Sequence, residues 1–128
     1  MKYLLDTHTY FWARSSPRVL PHRVVDLLSD PSSDVTISII TPWELAIKTG
    51  KGQLNAAALL VDFERRELAA GFKIAGITAT QAISSGLLPS HHRDPFDRLL
   101  VAQALDLHVP IVSVDRRLDL YGVQRIWD

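Results

Sequence analysis

Asp6, Glu44, Asp97 and Asp115 are the residues of this chain best placed to do chemistry, because each falls at the end of a strand or in the first turn of a helix. Asp6 stops the apolar run Tyr3-Leu4-Leu5, and Asp115 stops Ile111-Val112-Ser113-Val114. Glu44 and Asp97 each lie in the first turn of a helix, the one opened by Thr41-Pro42 and the other by Asp94-Pro95. Carboxylates brought together repel unless they are protonated or neutralised by cations. An all-oxygen set suits hard ions such as Mg2+ or Mn2+, which activate water and stabilise the leaving oxygen of a phosphodiester. Metal-assisted phosphodiester hydrolysis is the chemistry this set implies.

Each carboxylate also has a plainer job. Glu44 suits the capping-box partner of Thr41, and Asp97 favours the helix dipole whatever else it does. Asp94 is better explained as the cap before Pro95 than as a ligand, while Asp6 and Asp115 end strands in turns. These separate jobs do not explain why all four fall at equivalent points of the pattern.

The elements that must position them follow from periodicity and punctuation. Strands are read at Tyr3-Leu4-Leu5, at Val35 to Ile40, weakly at Phe72-Lys73-Ile74, at Ile111 to Val114 and at Val123 to Trp127. Helices are read over Thr7 to Ala13, Pro21 to Asp30, from Thr41 to about Gly50, from Asn55 to about Ala70, Thr78 to Ser85 and Phe96 to Leu107. Thr41 reads as an N-cap, Pro42 as the first helical position and Glu44 as the capping-box partner. Short, continuously apolar strands alternating with helices imply an α/β fold: a parallel sheet with helices on both faces. In such a sheet all strand C-termini share one edge, where ligands bind, so topology alone brings together residues 38, 53 and 18 positions apart.

Composition narrows the classes. The chain has 128 residues, 47% of them hydrophobic, a length that suits a single domain over 1–128. Area scaling puts its folded surface at about 6,800 Å² and its buried fraction at about two-thirds, enough for a core without staples. It has no Cys, which excludes a disulfide framework, a thiolate zinc site and a cysteine nucleophile. Its apolar runs are too short to span a membrane, and its N-terminus meets Asp6 before any signal-peptide core develops, so a cytoplasmic protein is expected. Lys plus Arg and Asp plus Glu balance at 14 each, which excludes a strongly basic nucleic-acid coat. Setting four carboxylates aside for metal leaves ten acids against 14 bases, an acidic pit in a mildly basic surround.

Other polar residues carry weaker signals. Arg93, Arg98, Arg116 and Arg117 flank Asp97 and Asp115, and Lys48 lies one turn beyond Glu44; Arg98, Arg116 and Lys48 are the candidates for phosphate contact. His91 and His92 read as exposed loop residues ahead of a helix. The tryptophans at 12, 43 and 127, with Tyr10 and Phe11, read as core or dimer packing ahead of base stacking. The amphipathic stretch from Ala56 to Leu68 could offer a partner groove. No P-loop, Gly-x-Gly-x-x-Gly or Gly-x-Ser-x-Gly occurs.

Four segments together resemble a PIN domain: Leu4-Leu5-Asp6-Thr7-His8, Ile37 to Ala46 through Thr41-Pro42-Trp43-Glu44, His92 to Ala104 through Asp94-Pro95-Phe96-Asp97-Arg98, and Ser113-Val114-Asp115. More narrowly they are similar to the VapC-type ribonuclease toxins of bacterial type II toxin–antitoxin modules. The Asp-Pro-Phe-Asp-Arg segment is the most specific part, and the likeness spans essentially the whole chain. The resemblance implies a three-layer sandwich on a central parallel sheet of four to five strands. It also implies a Mg2+- or Mn2+-dependent endoribonuclease acting on RNA, usually homodimeric and held inactive by a cognate antitoxin. The family's acidic quartet maps onto Asp6, Glu44, Asp97 and Asp115, with Asp115 completing the site or binding a second ion or its waters. Thr7 and Ser113 take positions where the family often carries a small hydroxyl; Asp94 fits the quartet less well than Asp97.

Two rivals stand beside this reading. A receiver-type phospho-acceptor also keeps an acidic Mg2+ site on a parallel sheet. It requires an acidic pair after its first strand and an Asp at a middle strand. Here Asp6 stands alone before Thr7, and no Asp lies between Phe72 and Thr78. The other rival is a catalytically silent module of the same fold working by protein–protein contact. A missing quartet member would favour it, and all four are present.

Overall fold

A computed structural model describes residues 1–128. Five parallel strands form one sheet: β1 (Lys2–Leu5), β2 (Asp34–Ser38), β3 (Lys73–Ala75), β4 (Ile111–Val112) and β5 (Arg125–Ile126), in the order β3-β2-β1-β4-β5. Seven helices accompany them: α1 (Thr7–Ser15), α2 (His22–Ser29), α3 (Ile40–Gly50), α4 (Ala57–Leu60), α5 (Phe63–Ala69), α6 (Ala79–Leu87) and α7 (Pro95–Leu107). Two 3-10 turns, Pro17–Val19 and Arg116–Tyr121, complete the chain. The accessible surface is 7167 Å², close to the area expected from chain length.

Because successive strand side chains point to opposite faces, neighbouring residues of β1 and β4 feed two cores. Leu5 and Val112 join Val35, Ile37 and Ile126 against Tyr10 of α1, Val24 and Leu27 of α2 and Leu45 of α3. Leu4 and Ile111 pack on the other face with Leu100, Val101 and Ala104 of α7. Helices therefore cover both faces of a fully parallel sheet, the expected three-layer architecture. The chain builds outward from β1 to β2 and β3, then crosses back to lay β4 and β5 on the other side. The strand order reverses between β1 and β4, and a crevice opens at the carboxyl ends of those two strands.

Three local expectations fail. The expected capping box at Thr41 does not form: Ile39 already has helical angles (φ −60°, ψ −18°), the helix begins at Ile40, and Thr41 is buried inside its first turn. The expected strand from Val35 to Ile40 accordingly ends at Ser38, whose hydroxyl accepts from the Ile40 N–H at 3.2 Å. The expected single helix from Asn55 to Ala70 is two, because Asp62 adopts a left-handed conformation (φ 54°, ψ 38°) that breaks it between α4 and α5.

Candidate metal centre

Each carboxylate reaches the crevice because it ends a strand or starts a helix. Asp6 directly follows β1 and caps α1, its Oδ1 accepting from the Thr9 N–H at 2.8 Å. Asp94 caps α7 through the Phe96 N–H at 2.9 Å, with Pro95 at the first helical position, and Asp97 follows in the first turn. Asp115 caps the Arg116–Tyr121 turn by accepting from the Arg117 N–H at 3.0 Å. Asp6, Asp94, Asp97 and Asp115 line one cavity of about 380 Å³ with His92, and His8, Trp12 and Arg117 stand at the same wall.

Glu44 is placed differently. It is 1% exposed and lies beside the cavity, where its charge is felt at Asp97. Its Oε2 accepts from Lys48 Nζ at 2.6 Å, while its Oε1 is buried with no hydrogen-bond partner. Burial depresses the Lys48 ammonium, but the hydrogen bond and charge of Glu44, with the charges of Asp94 and Asp97, together outweigh it and hold Lys48 above its ordinary value. Lys48, expected as a phosphate contact, is thus engaged inside the fold.

The electrostatics split the carboxylates. Burial, followed by the charges of Asp94, Asp6, Glu44 and Asp115, pushes Asp97 up to about 8. Asp6 is also raised by burial, against the opposing pull of Ser113 and Thr9 beside it. Burial pushes Asp115 upward too, but hydrogen bonds from Arg117 and His92 outweigh it and bring it to about 2. Arg117 makes this clamp with Nε 3.0 Å from Oδ1 and Nη2 2.9 Å from Oδ2.

The supporting residues divide likewise. Ser113, fully buried, accepts from the Asp115 N–H at 3.0 Å and lies close enough to Asp6 to pull its carboxyl downward, so it sits between two of the acids. Thr7 is buried, but its hydroxyl lies 3.4 Å from that of Thr41. Arg98 is not free to meet a phosphate. Its guanidinium donates to the carbonyls of Ser85 and Leu88, each at 2.9 Å, and of Pro89 at 3.0 Å, because these carbonyls at the end of α6 lack helical partners. Arg116 is exposed beside Asp115.

Sequence reasoning missed two residues. His92, read as an exposed loop residue, is buried, with Nε2 2.9 Å from Asp115 Oδ2 and 3.0 Å from Asp97 Oδ2. Its ligand atom and those of Asp97 and Asp115 lie within 4.8 Å of one another. No periodicity marks it: His92 is buried because the loop leading into α7 runs along the cavity. Arg117, passed over for Arg116, is the guanidinium that holds Asp115.

The residues present fit a hard divalent cation. The cavity carboxylates of Asp6, Asp97 and Asp115 and the orphaned Oε1 of Glu44 offer oxygen donors, and the strongly raised Asp97 marks a site short of positive charge.

The chain matches the PIN domain family over residues 3–123 and belongs to it. It is 28% identical over 116 residues to Ribonuclease VapC22 of Mycobacterium tuberculosis, covering 90% of this chain and 88% of that protein. Among solved structures it resembles VapBC2 from Rickettsia felis bound to a promoter DNA fragment, with TM-score 0.73, 17% identity and full coverage of both chains. It also resembles DNA-bound VapBC from Salmonella typhimurium, with TM-score 0.72, 18% identity and coverage of 98% and 97%. At these identities the structural neighbours speak for the fold. No helix is long and apolar enough to cross a membrane.

Proposed function

We propose that this chain is a Mg2+- or Mn2+-dependent endoribonuclease acting as the toxin of a toxin–antitoxin pair. The observation that carries the reading is the convergence of Asp6, Asp97 and Asp115, with Glu44 beside them, on the crevice where the strand order reverses. The likeness to a named ribonuclease over nine-tenths of the chain supports it.

In this reading Asp6, Glu44 and Asp97 hold the ion and Asp115 completes the site. When bound, the ion supplies an activated water and offsets charge on the scissile phosphodiester. The chain's own residues do the rest. Ser113 fixes the Asp115 backbone beside Asp6, and Arg117 orients the Asp115 carboxylate. Arg116, exposed beside the crevice, meets RNA phosphates. The chain acts as one PIN domain over 1–128, as a cytoplasmic homodimer whose activity a cognate antitoxin restrains; the VapBC neighbours support such a partner.

Inducing the protein in cells and sequencing RNA ends tests the reading. New, discrete 5′ ends are expected with the wild type and none with Asp97→Asn. Their absence with the wild type, or their persistence with the variant, contradicts it.

A further inference from the structure

His92 has no part in the reading above, yet its side chain is held at both ring nitrogens. It is 6% exposed and sits in the loop between α6 and α7. Its backbone N–H donates to the Tyr121 hydroxyl at 2.8 Å, anchoring that loop to the turn that follows Asp115. The ring is fixed at both nitrogens. Nδ1 accepts from the Asp94 N–H at 3.1 Å, and Nε2 lies 2.9 Å from Asp115 Oδ2 and 3.0 Å from Asp97 Oδ2.

A neutral imidazole has one donor and one acceptor nitrogen. The Asp94 N–H can bond only to a bare nitrogen, so Nδ1 is the acceptor and the proton sits on Nε2. A single N–H therefore faces two carboxylates from different elements, which would otherwise repel at this spacing. With its proton there, Nε2 has no lone pair to give a metal.

We propose that His92 is a positioning residue and not a metal ligand: its Nε2–H holds the Asp97 and Asp115 carboxylates side by side in the geometry that receives a divalent cation. This rests on the metal-binding reading above. The chain of control runs from Asp94 to the ring tautomer, from the tautomer to the N–H, and from the N–H to both acids. Asp94, which fitted the quartet poorly, gains a role through its backbone as well as its capping side chain. Hydrogen-bond partners of metal-ligating carboxylates typically matter ten- to hundredfold in metal affinity.

The test is Mn2+ affinity of the purified full chain by calorimetry, for wild type, His92→Leu and His92→Gln. Glutamine's Nε2 can place a donor near the same point, whereas leucine cannot. His92→Leu is expected to weaken Mn2+ binding about ten- to hundredfold, and His92→Gln to recover most of that loss. Pulsed electron paramagnetic resonance of the Mn2+-loaded wild type is expected to show no directly bonded nitrogen. Unchanged affinity in His92→Leu overturns the proposal, as does a directly bonded nitrogen in the wild type. If His92→Leu does not fold, His92→Gln and the wild-type spectrum decide: affinity in His92→Gln lowered as far as about a hundredfold overturns it as well. A wild type that binds no Mn2+ overturns the metal reading itself, an outcome distinct from normal wild-type binding that ignores His92.

Discussion

Asp97 carries a heavy electrostatic load, and its consequence is measurable before any substrate is added. Burial and four neighbouring carboxylates raise it from 3.8 to about 8 in the folded chain. Between those values folding takes up a proton, so the stabilisation is complete below about pH 4 and is lost as pH rises through about 8. The metal-free protein should therefore lose stability across that window, and Asp97→Asn should flatten the slope and melt higher at pH 8. Thermal melts in chelator from pH 5 to 9 check this; identical slopes for wild type and variant would contradict it. Asp115, held at about 2 by Arg117 and His92 once burial is overcome, stays ionised throughout and adds nothing to that slope.

At the scale of elements, two arginines hold helices in place. Arg98 ties the end of α6 to α7 through the carbonyls of Ser85, Leu88 and Pro89. Arg98→Ala should cost about 2–3 kcal/mol in denaturant melts, since charged hydrogen bonds are lost and carbonyls stranded; a loss under about 0.5 kcal/mol would contradict the role. Glu67 of α5 is fully buried against Arg14 of α1, which donates from Nε at 3.1 Å and also from Nη2. Arg14→Ala leaves that carboxylate buried and unpaired and should cost about 3–5 kcal/mol in the same measurement. Neither tie could be read from the sequence, because each partner is chosen by how helices meet. What could be read was local: the apolar runs before Asp6 and Asp115, and the Asp94-Pro95 helix start. Val35 to Ile40 was read two residues too long because Ile39 and Ile40 continue the apolar run into the helix. The four carboxylates were legible as strand-end or helix-start residues. His92 was not, because its burial depends on a loop path that no periodicity encodes.

At the scale of the whole molecule, zero net charge conceals an uneven distribution: cavity acids on one edge and arginines such as Arg93 and Arg116 exposed around it. Filling the cavity with a cation should stabilise the fold by about 2.7 kcal/mol at a concentration one hundred times Kd. A rise in melting temperature with Mn2+ should appear in the wild type and shrink sharply in Asp97→Asn; equal rises would place the ion elsewhere. The central claim is that these carboxylates cut RNA through a divalent ion, and cleavage of a single-stranded RNA by the purified chain tests it most directly. Discrete cleavage with Mg2+ or Mn2+ is predicted, abolished by chelator and reduced more than about a hundredfold in Asp6→Asn and Asp97→Asn, beyond the loss typical of outer-shell partners. Cleavage that persists in chelator, or at the wild-type rate in either variant, would contradict it.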